Sequence, residues 1–141
     1  MMEPDYLFDV AIYLRGDDLD PDHVSTVLGI APSKSQSKGQ KKVTSTNQVV
    51  VAKIGLWALV AETKSSDLPV LIQELALKIG DHGPVLTGID GVEEAYVDVF
   101  VATHVDDDGG GTCEFQLSQE NVRALDRLGM PVRFTVAVVR K

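Results

Sequence analysis

A helix-forming segment occurs nearly twice in this chain, and that recurrence constrains the fold more than any other feature. The first copy reads Leu19-Asp20-Pro21-Asp22-His23-Val24-Ser25-Thr26-Val27-Leu28-Gly29-Ile30-Ala31-Pro32. The second begins Leu117-Ser118-Gln119-Glu120-Asn121-Val122, passes through Leu125 and ends Leu128-Gly129-Met130-Pro131. In each, Asp or Ser offers an oxygen to the free N–H groups of a first helical turn. An apolar stripe follows, Gly supplies the stop, and Pro prevents continuation. Pro21 takes the first helical position, where a missing N–H costs nothing, and Asp22 lies beside the positive end of the helix dipole. Val24, Val27 and Leu28 form the stripe expected to be buried.

Strands are expected around these helices. Residues 7–14 alternate, with Phe8, Val10 and Ile12 on one side and Asp9, Ala11 and Tyr13 on the other. Residues 95–104 alternate most clearly of all: Tyr96, Asp98, Phe100 and Ala102 against Val97, Val99, Val101 and Thr103. Val49-Val50-Val51 is a β-branched run, and residues 53–62 follow as a second apolar strand or as the same strand past a bulge at Gly55. Further strands are expected over 112–117 and over 132–140, the latter with Phe134, Val136 and Val138 on one side. The polar segment 33–42 reads equally as an edge strand or a loop.

Ser65-Ser66-Asp67 precedes the longest expected helix. Leu68, Ile72, Leu75 and Ile79 share one of its faces with Leu71 beside them. Burying four such side chains stabilises by roughly 6–12 kcal/mol before ordering entropy is subtracted. Gly and Pro between 80 and 91 end it. Hairpins mixed with crossovers describe an α+β fold: a mainly antiparallel sheet covered on one face by about three helices. A ferredoxin-like core with an added strand–helix–strand unit suits that order, within a single domain spanning 1–141.

The same residues resemble a known family. Gly16-Asp17-Asp18-Leu19-Asp20-Pro21, then Leu28-Gly29 with Pro32, is similar to the opening of the bacterial domain-of-unknown-function family numbered 4279. Lys38-Gly39, Gly55-Leu56-Trp57, the acidic and Gly-rich loop, and Leu117-Ser118 leading to Leu128-Gly129 follow in order. The resemblance spans nearly the whole chain and implies a compact bacterial domain. It implies no activity and no site residues.

Composition narrows the function classes. The formal net charge of -8 opposes binding to nucleic acid and to anionic lipid. The lysines at 34, 38, 41 and 42 form the one basic cluster, and no aromatics interleave them for base stacking. No apolar run is long enough to span a bilayer, and the first residues lack the pattern of a secretory signal. A single cysteine, Cys113, allows no internal disulfide. A soluble cytoplasmic protein without membrane or nucleic-acid partners is expected.

No motif marks a reaction. Asp17, Asp18, Asp20 and Asp22 read as a turn and a capped helix rather than a cation site. The consecutive acids of 106–108 point alternately apart, so 106–111 reads as a flexible hairpin loop and no metal site is expected. His23, His82 and His104 lie on different kinds of element without a marked nucleophile. Cys113 has Glu114 beside it, which opposes a reactive thiolate. No phosphate-binding glycine loop is present, no catalytic residue is assigned and no cofactor is expected.

Three functional expectations remain, of which an enzyme using His23, His82 or His104 beside a Ser, Cys or carboxylate ranks last. The first is a non-enzymatic module that binds a protein partner or self-associates, with Val49–Val51 as an exposed edge. An immunity-like protein neutralising a basic toxin is one form of it. The second is a small anionic ligand held between the sheet and the 33–42 loop, with Trp57 as wall and Lys34, Ser35 and Lys38 as polar contacts.

Overall fold

Alternating residues near the start become one of the two longest strands of a central sheet. In the computed structural model, which describes residues 6–63, 67–104 and 108–139, β1 spans Tyr6–Gly16 and α1 spans Pro21–Leu28. Three short strands follow: β2 (Lys34–Gln36), β3 (Lys41–Val43) and β4 (Val49–Val51). Then come β5 (Gly55–Val60), α2 (Leu68–Ile79), a 3-10 stretch at Gly80–Gly88 and β6 (Glu94–His104). The chain closes with α3 (Gln119–Leu128) and β7 (Val132–Val139).

The fold is α+β. The main sheet has the order β2-β5-β1-β6-β7, antiparallel throughout except for the parallel β6–β7 pair, and β3–β4 forms a separate two-stranded sheet. Helix α1 connects β1 to β2 across β5, and α2 connects β5 to β6 across β1. Two strand–helix–strand units are thus interleaved, and α3 with β7 extends the sheet beyond them.

All three helices pack on one face. Phe8, Val10, Ile12 and Leu14 from β1 and Val97, Val99 and Val101 from β6 join one core with Val24 and Leu28 of α1. The same core takes Leu68, Leu71, Ile72, Leu75 and Ile79 of α2, and Ala124, Leu125 and Leu128 of α3. Each of the α2 side chains stabilises by about 1.5–3 kcal/mol gross, which makes α2 the chief cover of the sheet. The two similar helices end alike: Gly29 (φ 67°) and Gly129 (φ 69°) are both left-handed caps. Asp20 accepts from the N–H of Asp22 at 3.1 Å, and Ser118 and Asn121 form a reciprocal capping box.

Two sequence expectations need correction. Residues 112–117 make no ladder; they run over the helix-covered side, where Cys113, Phe115 and Leu117 turn inward onto the core. The added unit is therefore a helix and a strand, with no hairpin to β6. Val27 is 41% exposed, because an eight-residue helix lying on a sheet turns only a narrow stripe inward. Of the two readings open for residues 53–62, the structure takes the second strand: Val49–Val51 and residues 55–60 belong to different strands in different sheets. Gly55 marks a close approach rather than a bulge: a Cβ there would lie 2.7 Å from the Gly16 carbonyl oxygen and 2.8 Å from that of Leu19. The serines at 65 and 66 that precede α2, and the acids at 106 and 107, lie outside the described residues.

Candidate functional site

Strand alternation leaves the second face of the main sheet without a helix. Its side chains come from the positions between the core positions: Lys34 on β2; Leu56, Ala58 and Val60 on β5; Ala11, Tyr13 and Arg15 on β1; Tyr96, Asp98 and Phe100 on β6; Arg133 and Thr135 on β7. The register places Lys34 opposite Ala58, Ala58 opposite Tyr13, and Tyr13 opposite Tyr96. A row of cation, small residue and two aromatics results.

The geometry of this row is specific. The Tyr13 and Tyr96 rings stack at 5.4 Å between centroids with 26° between planes. Lys34 Nζ lies 5.7 Å from the Tyr13 ring centroid, so its stem crosses Ala58, which is buried. At the other end Arg133 Cζ lies 3.7 Å from the Tyr96 centroid, and its guanidinium also pairs with Glu94. Beside it Thr135 Oγ1 donates to Asp98 Oδ1 at 2.9 Å. Each exposed cation–aromatic contact contributes about 0.5–1 kcal/mol and the ring stack a similar amount. Long side chains therefore roof this face where the other face has helices. Tyr13 stays half-buried, with Leu56, Val60 and Phe100 also partly open around it.

The residues expected to form a ligand pocket do not converge. Trp57 has no exposed surface; it faces the helix-covered side and donates from Nε1 to Ser25 Oγ of α1 at 3.0 Å. It is a core residue. Ser35 pairs in register with Trp57 on that same side, whereas Lys34 projects to the opposite face. Lys38 lies beyond β2 and pairs with Asp17 at 3.5 Å, both side chains about half exposed. A one-residue step along β2 reverses the facing of a side chain, which is why neighbours in sequence separate here.

A second polar centre joins the exit of β5 to α2. Glu74 Oε2 accepts from the Glu62 N–H at 2.5 Å and from Lys78 Nζ at 3.3 Å. Its Oε1 accepts from the Thr63 hydroxyl at 2.6 Å and the Thr63 N–H at 3.2 Å. Burial pushes the Glu74 carboxyl up, but the Thr63 hydroxyl, the two N–H groups and Lys78 together outweigh it and hold the pKa at about 2, below the ordinary 4.5. This carboxylate ties the exit of β5 to α2. It borders a groove of about 550 Å³ that Val70 and Leu77 line with Ser118 and Glu120.

The remaining candidates are dispersed. His23, His82 and His104 are exposed on α1, the 3-10 stretch and the end of β6. His104 and Cys113 share a cleft of about 260 Å³, and no hydrogen bond joins them among the described residues. Among the described residues no group of three His, Cys, Asp or Glu side chains suits a metal ion. No described helix is long and apolar enough to cross a membrane.

Residues 6–139 match the model of a family described as a domain of unknown function, DUF4279. The chain belongs to this family. The DUF4279 span runs from the first described residue of β1 to the last of β7, so the helix-free face and the Glu74 groove both lie within the family domain. No curated protein and no solved structure matches the chain. Sequence reasoning missed the tyrosine row in this DUF4279 chain, although Tyr13 and Tyr96 both sit at outward positions of well-read strands. Only the register of β1 against β6 sets one ring on the other.

Proposed function

We propose that this protein is a non-catalytic module that binds a basic protein partner through the helix-free face of its main sheet. The observation that carries this reading is the Tyr13–Tyr96 stack flanked by Lys34 and Arg133. Tyrosine and arginine supply much of the affinity at protein interfaces, and the rigid tyrosine ring loses little entropy when covered. The roofing side chains hold the rings in place before a partner arrives, which lowers the ordering cost of binding. The net charge of -8 supplies long-range attraction for a basic partner, and the aromatic row supplies the contact. Neutralisation of a basic toxin by a cytoplasmic immunity-like protein is the sharpest form of this reading.

The test is affinity capture from the native host with the wild-type chain and a Tyr13→Ala/Tyr96→Ala variant, checked for fold by circular dichroism. The expected result is one basic protein retained by the wild type, released by salt and lost by the variant. Retention of the same proteins by both chains refutes the reading.

A further inference from the structure

Strand β7 closes one side of the main sheet, and its surroundings are unusual for an edge. Its helix-side residues continue the rows of β6: Phe134 pairs with Val99, Val136 with Val101 and Val138 with Thr103. Val99 and Val101 are fully buried, yet Phe134, Val136 and Val138 are 48%, 54% and 61% exposed. Helix α3 stops short of them and Phe115 reaches the Phe134 ring, with 6.0 Å between centroids, leaving a mainly apolar hollow of about 290 Å³ lined by Val122, Leu125, Met130 and Phe134, with Asp126 beside them. Natural edge strands are protected by proline, lysine, a bulge or shortness. The eight residues Val132–Val139 include one charge, Arg133, and no proline.

The backbone direction adds a second observation. The Val97 N–H donates to the Pro131 carbonyl at 2.9 Å, so residue 131 and, by alternation, 133, 135 and 137 turn their N–H and C=O groups toward β6. The corresponding groups of Phe134, Val136 and Val138 turn outward. The same three residues therefore present both the exposed apolar side chains and the outward-facing backbone groups.

We propose that β7 pairs antiparallel with β7 of a second copy of this chain, about a two-fold axis at Val136, joining two five-stranded sheets into one. In that register Val136 faces its own copy, Phe134 faces Val138, and each pair exchanges both backbone hydrogen bonds. The helix side of the seam is apolar at every position. On the other side Arg133 faces Val139 and Thr135 faces Ala137. The two Arg133 side chains, each already paired with Glu94, stand six residues apart along the seam, roughly 20 Å at about 3.3 Å per residue. That exceeds the screening length of about 8 Å at physiological ionic strength. An isologous contact requires a surface complementary to itself, and β7 meets that requirement without any like charges in contact. In a chain of net charge -8, the eight residues of β7 carry no acidic side chain of their own.

Sedimentation equilibrium of the full chain tests this, with twice the 15.2 kDa chain mass expected for the wild type. Val136→Lys sets two cations opposite each other at the axis, and is expected to return the mass to that of one chain with an unchanged circular dichroism spectrum. Independently, Val136→Cys is expected to form a disulfide-linked dimer under mild oxidation, since facing residues of such a pair lie about 5.5 Å apart between Cα atoms. Leu77→Cys, 71% exposed on α2, serves as the control that forms no disulfide-linked dimer. A wild-type monomer overturns the proposal, and so does a dimer that Val136→Lys leaves intact. So does a dimer broken instead by Val50→Lys on the β3–β4 hairpin, which assigns the contact there. The tyrosine variants of the opposite face leave this mass unchanged, so the two proposals fail separately.

Discussion

Replacing Glu74 with Gln tests how much of the stability rests on one ionised carboxylate. The carboxylate accepts four hydrogen bonds, from Glu62, Thr63 twice and Lys78, and its pKa is held at about 2 against 4.5. A group whose folded pKa is depressed contributes stability that is fully present above its unfolded value and is lost as pH falls toward the folded one. The window is therefore from about 4.5 down to about 2. At about 1.4 kcal/mol per pH unit the ceiling is about 3 kcal/mol. The side chain is 18% exposed at the mouth of an open groove, and solvent there reduces the contribution to about 1–2 kcal/mol. Gln keeps an acceptor oxygen but loses the charge. Glu74→Gln is thus expected to lower the urea-unfolding free energy by about 1–2 kcal/mol at pH 7 and by much less at pH 3, measured at matched ionic strength. The two stability–pH curves should converge as acid is added. An equal loss at pH 7 and pH 3 refutes the electrostatic account and leaves a packing effect.

Two further perturbations probe the core and the tight corner of the fold. Ser25→Ala removes the acceptor for Trp57 Nε1 and leaves a buried N–H unsatisfied, so a loss of about 1–3 kcal/mol is expected in urea unfolding. Acrylamide should still fail to quench Trp57 fluorescence in the folded variant, and ready quenching contradicts the buried placement. Gly16→Ala places a Cβ 1.9 Å from the Gly91 carbonyl oxygen, where β1 ends against the turn before β6. A loss of about 3 kcal/mol or more is expected, read as a lower thermal midpoint; an unchanged midpoint refutes the close approach.

Both halves of the near-repeat were legible because capping is local chemistry. Asp20 and Ser118 reach N–H groups two or three residues away, and the left-handed glycines at 29 and 129 need no distant contact. The alternation of β1 and β6 and the buried face of α2 were legible for the same reason: the pattern repeats at the period of the element itself. Residues 112–117 misled, since Cys113, Phe115 and Leu117 alternate like a strand. They pack inward from a segment that meets no partner ladder. The candidate site was mostly illegible. Trp57 was singled out because a tryptophan beside a glycine suits a groove wall, whereas Ser25 of α1 holds its indole inside the core.

By itself, the chain of residues determined the three helices, the caps of α1 and α3, the alternation of β1 and β6 and the family to which the whole belongs. The tertiary structure decided which strands are neighbours. That choice stacked Tyr13 on Tyr96, moved Lys34 and Ser35 to opposite faces, bound Glu74 to the end of β5 and left β7 at the rim. The physical reason is one of range. Caps and periodicity act within a few residues, while register joins positions such as 13 and 96, which no local preference brings together.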